Sequence, residues 1–95
     1  MERTAGIQVI VRTFGLRGRD SSLTRMPTGL SAGTTVGDLL AHLRTRARPG
    51  DRLASVQSDT LLVLVNGRPI QYLSGWETVL RDGDEITCML KTAGG

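Results

Sequence analysis

Thr34-Thr35-Val36-Gly37-Asp38-Leu39-Leu40-Ala41-His42-Leu43-Arg44-Thr45-Arg46-Ala47, closed by Pro49-Gly50, is the stretch on which the fold turns. Val36, Leu39, Leu40, Leu43 and Ala47 recur at helical spacing and form one apolar stripe. Thr35 fits the N-cap. Asp38, three positions on, puts a carboxylate in the first turn, where the helix dipole favours it. Pro49-Gly50 is expected to stop the helix after about four turns. An amphipathic helix of this kind has one place to bury its stripe, the face of a sheet.

The flanking segments supply that sheet. Ile7, Val9 and Val11 share one face of a strand over 7–14. Residues 15–34 are rich in Gly, Ser, Thr and Arg, and Pro27 and Gly29 punctuate them, so a turn and a short, poorly patterned strand near 22–30 are expected. After a polar connection over 51–60, Leu61-Leu62-Val63-Leu64-Val65 is the most apolar run and reads as a central strand covered on both faces. Asn66-Gly67 follows at once, a dipeptide that accepts positive φ at both turn positions, so a hairpin leads into Arg68-Pro69-Ile70, an edge strand because of Pro69. Asp82-Gly83-Asp84 marks another tight turn before the last strand, Glu85 to Leu90. There Ile86, Cys88 and Leu90 face one way, and Thr87, Met89 and Lys91 the other. The fold class is therefore α+β: a roll with a mixed four- to five-stranded sheet and one main helix packed on one face.

The chain has 95 residues, and chains rarely divide into domains below about 200. Residues 1–91 form the domain and 92–95 a short glycine-ended tail. No apolar run approaches the ~20 residues of a membrane helix, and Met1 to Gly6 holds no stretch suited to a signal peptide. A single cysteine, Cys88, excludes an internal disulfide and a cysteine metal cluster. These features describe a soluble, cytoplasmic domain with no membrane partner. Twelve Lys and Arg against nine Asp and Glu give a net charge of +3. Eleven of the cations are Arg, and most of them fall in two loose groups: Arg12, Arg17, Arg19 and Arg25, then Arg44, Arg46, Arg48 and Arg52. They read either as a solvated surface or as a patch for phosphates, nucleic acid or an acidic partner. Three aromatic residues offer no stacking platform for bases, which argues against nucleic acid.

Side-chain chemistry is sparse. The chain carries no phosphate-binding loop with its Lys and no His-Glu-x-x-His. Asp82, Asp84 and Glu85 resemble a metal cluster, but a hairpin turn explains them as well, and no metal is assigned. His42 and Asp38 suit an exposed i,i+4 pair. Cys88, mid-strand on the core face, reads as a buried inert thiol. What remains is Lys91-Thr92-Ala93-Gly94-Gly95. Thr92 to Gly95 can reach about 13 Å past the sheet, and small residues suit a narrow channel. Its last group would be an unhindered main-chain carboxylate, which becomes an electrophile once adenylated.

The helix Thr34 to Arg44, Val65-Asn66-Gly67, Leu80-Arg81-Asp82-Gly83-Asp84-Glu85-Ile86 and the closing Ala93-Gly94-Gly95 together resemble the MoaD/ThiS sulfur carriers. The likeness covers about 7–14 and 34–95 and comes nearest to the small subunit of molybdopterin synthase. It implies a ubiquitin-like β-grasp fold. It also implies a mechanism: a ubiquitin-activating-type enzyme uses ATP to adenylate Gly95, and a persulfide sulfur replaces AMP, leaving a C-terminal thiocarboxylate. That sulfur is then passed to a precursor bound to a synthase large subunit. The reactive end would be Gly95 with Gly94. Met89, Lys91, Thr92 and Ala93 would bind partners, although Met89 equally suits ordinary packing. No cofactor would be held by the chain itself. Thiamine, cysteine or tRNA thiolation would use the same tail, and a ubiquitin-like modifier would instead form isopeptides through Gly95. Two departures stand out. Leu90-Lys91-Thr92 replaces the prolines common before the family's tail, and this chain is basic where family members are frequently acidic.

Overall fold

In the first strand, β1 (Gly6–Phe14), Val9, Val11 and Thr13 are buried while Ile10, Arg12 and Phe14 are half-buried, so a period of two divides the strand between two faces. The computed structural model describes residues 6–16 and 23–91. Beside β1 it places β2 (Leu23–Ser31), α1 (Val36–Arg46), β3 (Leu61–Val65), β4 (Arg68–Pro69) and β5 (Glu85–Leu90). The strands form one sheet in the order β2-β1-β5-β3-β4. β1 and β5 are parallel, and the other neighbours are antiparallel. This is the expected β-grasp roll, with five strands. The tail residues Thr92, Ala93, Gly94 and Gly95, together with Arg17 and Arg19, lie outside the described residues.

The start of the helix is built as its sequence indicates. The Thr35 hydroxyl accepts the Asp38 N–H at 3.1 Å, and the Asp38 carboxylate accepts the Thr35 N–H at 3.2 Å. This reciprocal cap contributes about 1 kcal/mol. Val36, Leu39, Leu40 and Leu43 are buried against the sheet. Eleven residues are too few for a stable isolated helix, so packing holds it. Gly37 packs closely: a Cβ there would stand 3.2 Å from the Trp76 carbonyl oxygen, a tight contact to which the backbone at Trp76 would have to yield.

Several expectations need correction. The helix ends at Arg46 after about three turns, not four, with Ala47 already extended at ψ 143°. The residue before a proline avoids helical geometry. Arg48 also exchanges hydrogen bonds with Asp51, through Asp51 N–H to Arg48 O and Arg48 N–H to Asp51 Oδ2, both 3.0 Å, and this closes a separate turn. β3 is neither central nor covered on both faces. Leu61, Val63 and Val65 are buried, but Leu62 and Leu64 are only half-buried, and the centre belongs to β5. The connection 51–60 is not simply polar, because Leu53 is 1% exposed within the 3-10 turn Arg52–Ala54. Its N–H donates to the carbonyl of Leu16, which is itself fully buried. Each such leucine contributes about 1.5–3 kcal/mol. β2 lies one residue on from the expected 22–30 and is fully regular, pairing with β1 over all nine residues. Pro27 fits there because Ile10, opposite it, sends its N–H to Asp84 O, away from β2, so no ladder bond is lost.

The two turns are as expected. Asn66 and Gly67 take φ of +52° and +85°. The Asn66 side chain also ties the hairpin to β5: Oδ1 accepts the Glu85 N–H and Nδ2 donates to Asp84 Oδ1, both at 2.9 Å. Asp82 and Asp84 serve their turn, accepting backbone N–H bonds from Gln8 at 2.7 Å and Arg81 at 2.8 Å. Replacing Asn66 with Ala removes two bonds and the tolerance for left-handed backbone. It should cost about 1–3 kcal/mol, read as a lower urea midpoint at unchanged m-value, with Asn66→Gly between the two.

Candidate functional site

A single helix covers a single face of the sheet, so alternation leaves the other face open. Cross-strand register sets out what that face carries. One row runs Leu23, Phe14, Met89, Leu62, and the next runs Arg25, Arg12, Thr87, Leu64. Leu23 is 45% exposed, and Phe14, Met89 and Leu62 are half-buried. None of these four belongs to the buried core cluster or packs against it. Met89 therefore stands outside the core on an uncovered apolar row. Beside it an open hollow of about 430 Å³ is bordered by Phe14, Gly15, Arg52, Met89 and Leu90.

This row lies at the root of the tail. β5 ends at Leu90, and Lys91 N–H donates to Thr60 O at 2.8 Å. Thr60 is held in turn by Gln57 O, which accepts its hydroxyl at 2.7 Å. The backbone is thus held in place up to Lys91. Lys91 does not continue the face of Thr87 and Met89: it borders a separate hollow of about 350 Å³ with Asp59, Leu61 and Trp76, because strand alternation stops with β5.

The cationic groups separate by place. Arg12 and Arg25 are direct cross-strand neighbours on the open face, and Arg12 Nη1 meets Glu85 Oε1 at 3.4 Å. With both side chains about a third exposed, that ion pair contributes little. Arg44 and Arg46 sit in the last turn of α1, where they complement the helix dipole, and Arg44 also donates to Ser58 Oγ at 3.4 Å. Arg52 leaves its sequence neighbours and borders the Met89 hollow. Two expectations about side chains resolve differently. Among the described residues no hydrogen bond or ion pair joins His42 to Asp38, whose carboxylate is engaged in the helix cap. Cys88 is buried as expected, and burial pushes its thiol up to about 11. Sequence reasoning missed Arg52, Phe14 and Leu62 as neighbours of Met89. The alternation of β1 and β5 carried the signal, but only their register aligns the rows.

The raised thiol predicts a pH dependence. An unfolded chain releases the Cys88 proton near 9 and the folded one near 11, so stability is full below pH 9 and falls as pH rises towards 11. The wild type should lose about 2–3 kcal/mol more than Cys88→Ala across that window, measured by urea unfolding at each pH.

Known proteins agree with this architecture. The ThiS family model matches residues 23–95, taking in 23–33, which the motifs had left out, and omitting 7–14, which they had included. No curated protein matches the chain by sequence. Among solved structures, the HVO 2177 protein of Haloferax volcanii superposes with a TM-score of 0.73 at 24% identity, covering 100% of this chain and 92% of that one. Small archaeal modifier protein 1 of Methanosarcina acetivorans gives 0.65 at 27% identity, over 96% and 99% of the two chains. A protein of Pyrococcus furiosus assigned as molybdopterin converting factor, subunit 1, gives 0.66 at 20% identity, over 90% and 99%. With its five-stranded roll and a family match running from β2 to Gly95, the chain belongs to the ThiS family of ubiquitin-like sulfur carriers.

Proposed function

We propose that the chain carries sulfur as a thiocarboxylate on Gly95 and delivers it in cofactor biosynthesis, with molybdopterin synthesis as the pathway. The observation that carries this reading is the family match through Gly95 on a domain that holds its uncovered apolar row, Leu23 to Leu62, at the tail's root. A partner seated on that row would stand beside the point from which the last four residues depart. The likeness to a molybdopterin converting factor subunit supports the choice of pathway.

In this mechanism the Gly95 carboxylate attacks the α-phosphorus of ATP on a ubiquitin-activating-type enzyme, and pyrophosphate leaves. The terminal sulfur of a persulfide then bonds to the acyl carbon as AMP departs. A second thiol cleaves the remaining S–S bond, forming a disulfide with the donor and freeing the thiocarboxylate. A synthase large subunit would supply the activated precursor that accepts the sulfur. Catalytic groups belong to the partners. The carrier contributes a docking face, a narrow tail and the reacting carbonyl carbon. Met89 with the apolar row would dock, and Lys91, Thr92 and Ala93 would guide the tail into the partner's channel.

A second reading is a protein modifier forming isopeptides through the same end, which the likeness to small archaeal modifier protein 1 favours. Intact mass after incubation with the activating enzyme, ATP and a sulfur donor separates the two. A gain of about 16 Da, one oxygen exchanged for sulfur, supports the carrier. Slower-migrating conjugates without that gain would support the modifier. Deleting Gly95 should abolish the gain at an unchanged melting temperature, and full activity in the truncated chain would overturn the proposal. Met89→Asp should weaken the complex with the activating enzyme on the order of tenfold while the fold persists, since a hydrated carboxylate then meets an apolar contact; unchanged affinity would reject Met89 as a docking residue.

A further inference from the structure

The open face carries a charge arrangement that its own folding does not require. Arg12 and Arg25 are directly paired across β1 and β2. Because Ile10 bonds towards β5, its neighbours Arg12 and Phe14, two and four residues on, also turn their backbone groups that way. Arg12 and Arg25 therefore form the narrow kind of antiparallel pair, with their side chains brought close. Like charges placed so are destabilising. Glu85 offsets one of them at 3.4 Å, and among the described residues Arg25 has no hydrogen bond or ion pair.

A third cation borders the neighbouring apolar row at Phe14 and Met89. Arg52 is exposed and borders the hollow formed with Phe14 and Met89. Its position is held from below: Leu53 beside it is 1% exposed and bonded to Leu16 O at 3.1 Å. Arg52 likewise has no ion-pair or hydrogen-bond partner for its guanidinium among the described residues. Phe14 and Met89 thus lie between two guanidinium groups that have no partner among the described residues, on a chain whose net charge is already +3. Glu85 offsets the Arg12 side of the Arg12–Arg25 pairing, and the Arg25 side has no offsetting carboxylate among the described residues.

We infer that this face recognises a partner protein that presents an apolar contact to Phe14 and Met89 and carboxylates to Arg25 and Arg52. Given the carrier function proposed above, on which this inference rests, that partner is the adenylating enzyme. The arginines act by positioning and steering: they speed encounter and fix how the tail root is presented, and they take no part in bond making. The short, delocalised fork of Arg suits bidentate contact with carboxylates, which fits a chain with eleven arginines and one lysine.

The test uses the full chain and the adenylating enzyme of the same organism, with association followed by stopped-flow or biolayer interferometry across ionic strength. Arg25→Glu and Arg52→Glu should each slow association on the order of tenfold at low salt, with the difference shrinking by about 0.5 M salt. Arg68→Glu on β4 makes the same change in net charge away from this face and should bind like the wild type. Arg25→Glu should also hold or raise the melting temperature, because it turns a repulsive cross-strand pair into an attractive one. Wild-type rates in both variants, equal slowing in Arg68→Glu, or insensitivity of the wild type to salt would each overturn the inference. So would tight binding of a short single-stranded RNA that is lost in Arg25→Glu and Arg52→Glu while enzyme association is unchanged, since the patch would then read phosphates. The two proposals fail separately. A mass gain on Gly95 with association indifferent to the arginines removes only the charge inference. Charge-dependent association without the mass gain removes only the sulfur chemistry.

Discussion

The parallel pairing of β1 with β5 brings the first and last strands together beside each other at the heart of the sheet, with Val11 opposite Ile86, Thr13 opposite Cys88 and Phe14 opposite Met89. Every other element takes its place from that pairing. α1 finds its floor in Val9, Val11, Ile86 and Cys88. β2 and β3 flank the pair on either side. Parallel strands need a long crossover, and here the whole middle of the chain serves as one, so local propensity alone cannot bring β1 to β5. The Asp82-Gly83-Asp84 turn fixes the register by hydrogen bonding back to Gln8 and Ile10 at the start of β1.

The same pairing sorts side chains between a covered and an uncovered face. One three-turn helix has too little surface to cover both sides of five strands, so the half-buried residues on the far side remain available. Met89 and Cys88 show the consequence one residue apart. Cys88 points into the core, where burial holds its thiol protonated and unreactive; Met89 points out beside Phe14 and Leu62. Chain direction adds the rest, since β5 runs towards the tail and carries the apolar row with it to within two residues of Lys91. A domain with one histidine and one buried cysteine brings little side-chain chemistry of its own. On the function proposed above, it would present a surface and its Gly95 end to proteins that have more.

Electrostatics give this domain a character of its own within that plan. Arginines on helix α1 have a structural use at its C-terminal end, whereas Arg12 and Arg25 oppose each other on the open face and only Arg12 meets a carboxylate, Glu85 on the β5 side.

The sequence by itself determined those features whose cause is local. The cap at Thr35 and Asp38, the stripe from Val36 to Leu43, the left-handed Asn66-Gly67 turn and the burial of Cys88 all follow from spacing, conformational preference and strand alternation. Only the tertiary structure decided which apolar residues would be core. Leu61 to Val65 reads the same whether one face or both are covered, since hydrophobicity carries no record of what packs above it. Leu16 and Leu53 sit in segments of polar neighbours and are buried only because those segments fold back on one another. The meeting of Phe14, Arg52 and Met89 joins residues far apart in the chain, and a contact of that kind is fixed by strand register and chain return, which no local window contains.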